Sequence, residues 1–329
     1  MEIGKLPNEV LEKIVFDNIK NKRKEILVGS GIGEDNAIID FGEEVCVMST
    51  DPITGATKDI GKLAIYISCN DVARSGAEPI GALLTILAPP STTEKDIERI
   101  MKDAGEASKE LNIEIMGGHT EITKAVNRII ISTTVVGKQK KKNILDINGV
   151  SVGDKVLITK YAAIEGTSII AKELEDYLKD KLSKEEIIEA QNMGELISVV
   201  KEGAILGEIG VNYMHDITEG GILGAVWEGA KATNKGIKIY EELIPLKEVT
   251  GRISSVLNID PYKLISSGSM LVIAKENKIP EIQDKLGREN INISIIGEVI
   301  GRGIFIEKNG VSEEILSPAS DELYKALQF

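Results

Sequence analysis

Apolar residues at Val10, Leu11, Ile14, Val15 and Ile19 follow the i, i+3, i+4 spacing of an amphipathic helix, with Pro7 at its start. The pattern dissolves at Lys20 to Lys24 and gives way to a glycine-rich loop, Gly29-Ser30-Gly31-Ile32-Gly33-Glu34-Asp35. Val45 to Thr50 reads as a strand ending in Asp51. Gly61 to Ser75 reads as a buried helix, and Thr93 to Leu111 as an amphipathic one with Ile97, Ile100, Met101 and Ala104 inward. Ile113 to Met116 predicts a short strand running into Gly117-Gly118-His119-Thr120-Glu121. Arg128 to Val136, β-branched almost throughout, predicts a strong strand.

Gln139 to Gly149 is polar and basic and marks a boundary, so the expected domains are 1–145 and 146–329. The second half restarts with a strand at Val156 to Lys160 and helices near 167–179 and 184–208. Tyr213-Met214-His215-Asp216-Ile217-Thr218-Glu219-Gly220-Gly221 then leads into a helix at Ile222 to Ala232. Strands follow at Ile237 to Tyr240, Ser269 to Ala274, Ser294 to Val299 and Gly303 to Glu307, the last closing a hairpin at Asn309-Gly310. Helices and strands interleave in both halves, so the expected fold class is α/β and α+β in two domains.

Composition narrows the function classes. With 42% hydrophobic residues and a mean hydropathy of -0.01, the chain has enough apolar material for sizeable cores. The formal charge of -13 opposes nucleic-acid binding, and the one basic run, Lys140 to Lys142, reads as a solvated loop. No apolar stretch reaches the roughly 18 residues of a membrane span, so no membrane partner is expected. Met1 to Lys5 lacks the basic-then-apolar signature of a signal peptide. Two cysteines, Cys46 and Cys69, give no disulfide framework and suit a reducing compartment; the expected location is cytoplasmic.

Two phosphate-binding signatures fail on inspection. Gly29-x-Gly31 is followed by Glu34 where a dinucleotide fingerprint needs glycine, and a carboxylate there repels a pyrophosphate. Gly55 to Lys62 imitates a P-loop but has one residue too many between its glycines, and Leu63 stands where a metal-holding hydroxyl belongs. More telling are carboxylates at the ends of elements beside glycine or small residues: Glu34-Asp35, Asp51, Asp71 after Asn70, Glu121 after Gly117-Gly118, and Asp216 and Glu219 before Gly220-Gly221. Each alone reads as a cap or turn residue. An aspartate inside an otherwise apolar helix is costly unless paired or metal-bound. Oxygen-only ligands from scattered segments suit Mg²⁺, which keeps waters and bridges phosphates.

Gly33-Glu34-Asp35-Asn36-Ala37, Ser49-Thr50-Asp51, Ile60-Gly61-Lys62-Leu63-Ala64, Asn70-Asp71-Val72-Ala73-x-x-Gly76-Ala77-Glu78-Pro79, Gly117-Gly118-His119-Thr120-Glu121 and His215-Asp216-Ile217-Thr218-Glu219-Gly220-Gly221 occur in order. Together they resemble the aminoimidazole ribonucleotide synthetase superfamily over nearly the whole chain. The nearest likeness within it is to HypE-like hydrogenase maturation proteins. The resemblance implies an N-terminal α/β domain that dimerises through a β-barrel and a C-terminal α+β domain. It implies ATP and Mg²⁺ as cofactors, with the Gly29, Gly31 and Gly33 loop covering phosphate. Asn70, Gly117 and Gly118 would belong to the nucleotide site, and Asp35, Asp51, Asp71 and Asp216 match the metal–phosphate acids. Glu121 matches an acid near the nucleotide at the dimer interface. Lys62 matches a HypE-like lysine, a solvated helix lysine being the other reading. His119 and His215 lie inside nucleotide-site motifs, as phosphate or substrate contacts or as structural histidines.

One departure qualifies the likeness. HypE carries a tail cysteine that becomes carbamoylated and dehydrated, whereas Leu323-Tyr324-Lys325-Ala326-Leu327-Gln328-Phe329 holds none. The expected function is therefore ATP- and Mg²⁺-dependent phosphoryl activation of a separate amide-like or phosphate acceptor by a homodimer, with a maturation factor as a further partner. The alternatives are a small-molecule kinase resembling thiamine-monophosphate kinase, or a nucleotide-binding scaffold without turnover.

Overall fold

A computed structural model describes residues 6, 10–31, 35–54, 59–317 and 320–328. The described residues divide into two units, one spanning 6–144 and the other 145–328. In the first unit, β1 (Ile26–Val28), β2 (Ala37–Asp40) and β3 (Glu44–Ile53) precede helix α1 (Ile60–Ala73). Strand β4 (Glu78–Ala88), helix α2 (Glu94–Glu110), β5 (Glu114–Ile122) and β6 (Ile130–Lys140) follow. The sheet order is β1-β2-β3-β6-β4-β5, with β4 and β5 parallel and the other neighbours antiparallel.

Period-2 burial builds one covered sheet face. On β3, Val45, Val47, Ser49 and Ile53 are buried, while Cys46 and Met48 are half-buried between them. Helix α1 is buried along nearly its whole length. A Cβ on Gly61 would stand 2.3 Å from the Ile100 carbonyl oxygen, so only glycine lets α1 and α2 approach this closely. Helix α2 opens with a Thr93/Asp96 capping box, and its inward stripe is Ile100, Ala104 and Ala107. Met101, expected inward, is 37% exposed because it falls at the edge of that 3.6-residue stripe.

Three further expectations change. Among the described residues the first unit holds no closed barrel: its sheet is open, with β1 and β5 as edges. The Gly117–Glu121 run is strand, since β5 pairs with β4 from Gly81/Glu114 to Ala88/Ile122. Asp51 lies inside β3, whose ladder with β6 continues to Ile53/Ile131. The amphipathic helix expected from Pro7 is described only from Val10, where it forms irregular turns with nothing buried (Pro7 lies outside the described residues).

The second unit runs β7 (Lys155–Thr159), α3 (Ile164–Glu173), α4 (Glu175–Leu178), α5 (Lys184–Asn192) and α6 (Val200–Ile209). Then come β8 (Tyr213–Asp216), α7 (Gly221–Thr233), β9 (Gly236–Tyr240), α8 (Glu248–Leu257), β10 (Met270–Ala274) and α9 (Ile279–Arg288). Strands β11 (Ile293–Ile300), β12 (Ile304–Lys308) and β13 (Val311–Glu314) and helix α10 (Glu322–Ala326) complete it. The two long helices expected over 167–179 and 184–208 are broken into shorter pieces, the third opening with a Ser183/Glu186 capping box.

The seven-stranded sheet, β13-β12-β9-β11-β7-β10-β8, separates two cores. Val156, Ile158, Leu271 and Ile273 face one core with Ile222 and Val226 of α7. Leu157, Met270 and Val272 face the other with Leu206 of α6 and Ile282 of α9. Burial on both faces explains why β7 and β10 read as continuous apolar runs. Asn309 and Gly310, at φ 51° and 79°, turn the β12–β13 hairpin. Among the described residues no helix is long and apolar enough to cross a membrane.

Candidate functional site

In the first unit the carboxylates gather where β3 meets the C-terminal half of α1. Asp71, 3% exposed in that apolar helix, accepts a 2.8 Å hydrogen bond from the Ser49 hydroxyl. Its carbonyl accepts a 2.6 Å bond from the Asn36 amide. Asp51 lies two residues beyond Ser49 and so shares the face of β3 turned toward α1. Asp35 forms a 3.3 Å ion pair with Arg74, whose side chain is only 7% exposed. Two expected acids are thus anchored by side chains, Asp35 by the buried Arg74 guanidinium and Asp71 by Ser49, while Asp51 shares the Ser49 face of β3. Asn70 is fully buried beside Asp71. The three carboxylates and the Ser49 hydroxyl offer oxygen donors alone, a set matched to a hard, oxygen-seeking cation.

Other expected residues of this unit stand apart from that group. Lys62 is nine positions before Asp71 on α1, about 13 Å away at 1.5 Å per residue. Its ammonium lies 6.0 Å from the Tyr66 ring centroid. His119 and Glu121 share one face of edge strand β5, with Nε2 and Oε2 3.3 Å apart and both side chains exposed. The register line Asp51–Thr133–Leu84–Gly118 puts β5 three strands from β3. That is about 14 Å within one protomer. Gly118 has φ 146°, and a Cβ there would fall 1.8 Å from the Leu84 oxygen, so its role in the strand is close backbone approach. Of the loop glycines, Gly29 and Gly31 are half-buried at its start, and Gly33 lies outside the described residues.

In the second unit, β8 delivers His215 and Asp216 side by side. Its ladder pairs Asp216 with Met270 and His215 with Leu271, and both side chains are almost fully buried. His215 Nε2 lies 2.8 Å from Glu228 Oε2 of α7, which fixes the ring. The chain then turns through Thr218, Glu219 and Gly220 into α7. Gly220 and Gly221 have φ 81° and 60°, and a Cβ on Gly221 would meet the carbonyls of Tyr262 and Leu264 at 2.6 and 2.7 Å. This glycine pair seats the turn against the 261–265 segment.

Two buried acids near this turn were not singled out in the sequence. Asp321, 5% exposed, accepts hydrogen bonds from the backbone N–H groups of Gly220 (2.7 Å), Leu323 (2.8 Å) and Ile265 (3.2 Å). Burial raises its pKa to about 6 against the lowering effect of those donors, and the charge of Glu219 adds to the rise. Glu165, in the first turn of α3 and 4% exposed, is pushed up to about 7 by burial. Hydrogen bonding from Ser267 opposes that rise, while the charges of Glu219 and Asp321 reinforce it. Its Oε2 has no hydrogen-bond partner among the described residues. Arg74, Glu165, Glu228 and Asp321 lie far in sequence from the acids they neighbour or support, or outside any glycine-plus-acid pattern. Arg74, inside the Asn70–Pro79 run, is the one the motif itself could have flagged.

Burial disfavours the thiolate form of both cysteines. Burial, with the charge of Asp71, drives the Cys69 thiol up to about 12, and burial also raises Cys46.

The family model "AIR synthase related protein, N-terminal domain" matches residues 33–139, and its C-terminal counterpart matches residues 151–308. A putative hydrogenase expression/formation protein of Methanocaldococcus jannaschii is 29% identical over 92% of this chain and 91% of its own. The solved HypE–HypF complex superposes at TM-score 0.76 and 24% identity, over 94% of this chain and 99% of that one. HypE in complex with ATP superposes at TM-score 0.71 and 20% identity, over 98% and 97%. With both of its halves matched in order, the chain belongs to the AIR synthase related protein family.

Proposed function

We propose that this protein is an ATP- and Mg²⁺-dependent enzyme that activates an amide-like or phosphate oxygen by phosphoryl transfer, in the manner of a HypE-like family member. The observation that carries the reading is Asp71. A carboxylate 3% exposed in an apolar helix, hydrogen-bonded to Ser49 with Asp51 further along the same strand face, brings oxygen donors of different segments together, as a phosphate-bridging Mg²⁺ requires. The relatives' names support it, since they describe hydrogenase maturation and an ATP complex.

Phosphoryl transfer asks mainly for positioning and charge neutralisation. Asp35, Asp51, Asp71 and Asp216 would hold Mg²⁺, which supplies neutralisation of the charge on the phosphates. Arg74 would keep Asp35 oriented, Ser49 would fix the Asp71 carboxylate, and Glu228 would set the His215 ring toward phosphate or substrate. The Gly29–Gly33 loop would cover the phosphates with backbone amides. His119 and Glu121 would serve a nucleotide bound by the partner protomer, because within one protomer they stand about three strands from Asp51. The exposed sheet face with Ile80, Leu83 and Met116 supports a homodimer closing a barrel from two open sheets. A maturation factor is the proposed macromolecular partner, and the cytoplasm the proposed location.

Calorimetry with ATP, with and without Mg²⁺, tests the centre of this reading. Asp71→Asn keeps shape but removes the charge, so nucleotide affinity is expected to lose its Mg²⁺ dependence, with ADP formation falling at least about tenfold. Unchanged Mg²⁺ dependence in that variant makes Asp71 purely structural and removes the basis of the proposal.

A further inference from the structure

We propose that Asp321 is a positioning residue for Asp216: its carboxylate locks the Asp216–Gly221 segment onto the 261–265 segment. The inference rests on the proposed role of Asp216 in holding Mg²⁺. On its upstream side Asp216 is fixed by the β8–β10 ladder, through the Met270 pairing and the Ile217 N–H to Ser269 carbonyl bond of 2.9 Å. On the downstream side no strand continues. The turn is closed by a 3.1 Å bond from the Gly221 N–H to the Thr218 carbonyl, and Gly220 adopts a left-handed conformation that glycine alone holds without strain. A turn containing two consecutive glycines has ample alternative conformations and needs an outside tether.

Asp321 provides that tether with two oxygens used in different directions. Oδ2 accepts the Gly220 N–H, while Oδ1 accepts both the Ile265 N–H and the Leu323 N–H at the start of α10. One carboxylate therefore joins three chain segments distant in sequence. The same segments meet again where the missing Cβ of Gly221 lets it rest on the Tyr262 and Leu264 carbonyls. Helix α10 holds the carboxylate in place: Leu323 and Ala326 are buried, and Lys325 bonds the Asn258 carbonyl at 2.5 Å.

Asp321→Asn separates positioning from capping. An asparagine oxygen at the Oδ1 position still caps α10 and accepts from Ile265, but its amide then turns N–H groups toward the Gly220 N–H. Titration of a non-hydrolysable ATP analogue at varied Mg²⁺ is the measurement. The expected result is a folded variant, with unchanged Trp227 emission, whose Mg²⁺ midpoint is weakened about tenfold while Mg²⁺-free nucleotide binding stays as in the wild type. A folded variant with the wild-type midpoint overturns the inference and leaves the proposed function standing. A wild-type protein whose nucleotide binding ignores Mg²⁺ sinks the proposed function, and this inference with it. Should the variant fail to fold, hydrogen–deuterium exchange on the wild type decides. Analogue plus Mg²⁺ should slow exchange in the peptides carrying Gly220 and Leu323 together, and slowing at Gly220 alone overturns the tether.

Discussion

Replacing Glu165 with glutamine should change how stability depends on pH more than it changes stability at any one acidic pH. The native carboxyl is buried beside Glu219 and Asp321, and its pKa is raised from 4.5 to about 7. A rise of that size, at 1.36 kcal/mol per unit, is worth about 3 kcal/mol. Because the folded state holds the proton more tightly than the unfolded chain, this contribution is complete below about pH 4.5. It declines as pH rises and is gone above about pH 7. Glutamine is neutral throughout and carries no such slope. Asp321, raised to about 6, titrates in both proteins and largely cancels in the comparison. The difference in unfolding free energy between Glu165→Gln and wild type should therefore move by about 2.5 kcal/mol in the variant's favour between pH 5 and pH 8. Urea unfolding followed by fluorescence is the assay, since the single tryptophan, Trp227, sits on α7 of the same unit. Parallel stability curves for the two proteins across that range would show that Glu165 is already ionised in the folded state, and the reasoning from burial would fail.

Light scattering at micromolar concentration should give a dimer mass for the wild type. Leu83→Asp, on the exposed sheet face, should halve that mass without loss of helical signal; a monomeric wild type would refute the pairing of sheets. Gly118→Ala should destabilise the first unit by about 1–3 kcal/mol, because its Cβ would fall 1.8 Å from the Leu84 oxygen and the β4–β5 ladder must shift. Thermal melting that matches wild type would show that the strand gives way freely. Cys69, with a pKa of about 12, should resist iodoacetamide at pH 7.5 in the native protein and react in urea. Its thiolate fraction is lower than that of free cysteine by roughly three powers of ten. Rapid native alkylation of Cys69, or a carbamoyl mass shift on either cysteine after incubation with carbamoyl phosphate and ATP, would contradict the burial argument.

Much of the fold was legible in the sequence because its signals are local. The apolar runs Val156–Ile158 and Met270–Ala274 and the Asn309-Gly310 turn each act within a few residues. The ordered motifs, with Asp71 in an apolar helix at their centre, likewise carried the family resemblance that both matched halves bear out. Other features depended on pairing between distant segments. The expected strand stopped at Met116, before the glycines of Gly117–Glu121, yet β4 extends it through that run, since an absent Cβ is also what close backbone approach requires. Asp51 looked like a strand end until β6 extended the ladder past it. Met101 matched the helical spacing but lay at the margin of the stripe α2 buries.

By itself, the sequence determined where elements form, which faces are apolar and which carboxylates lie beside glycine, because propensity, periodicity and turn chemistry are carried by neighbours along the chain. Only the tertiary structure decided which acids share an environment. Asp35 found Arg74, Asp71 found Ser49, and Asp321 reached Gly220 across 101 positions. Burial and charge proximity, which set whether Glu165 keeps its proton, depend on distances in space that no spacing along the chain encodes.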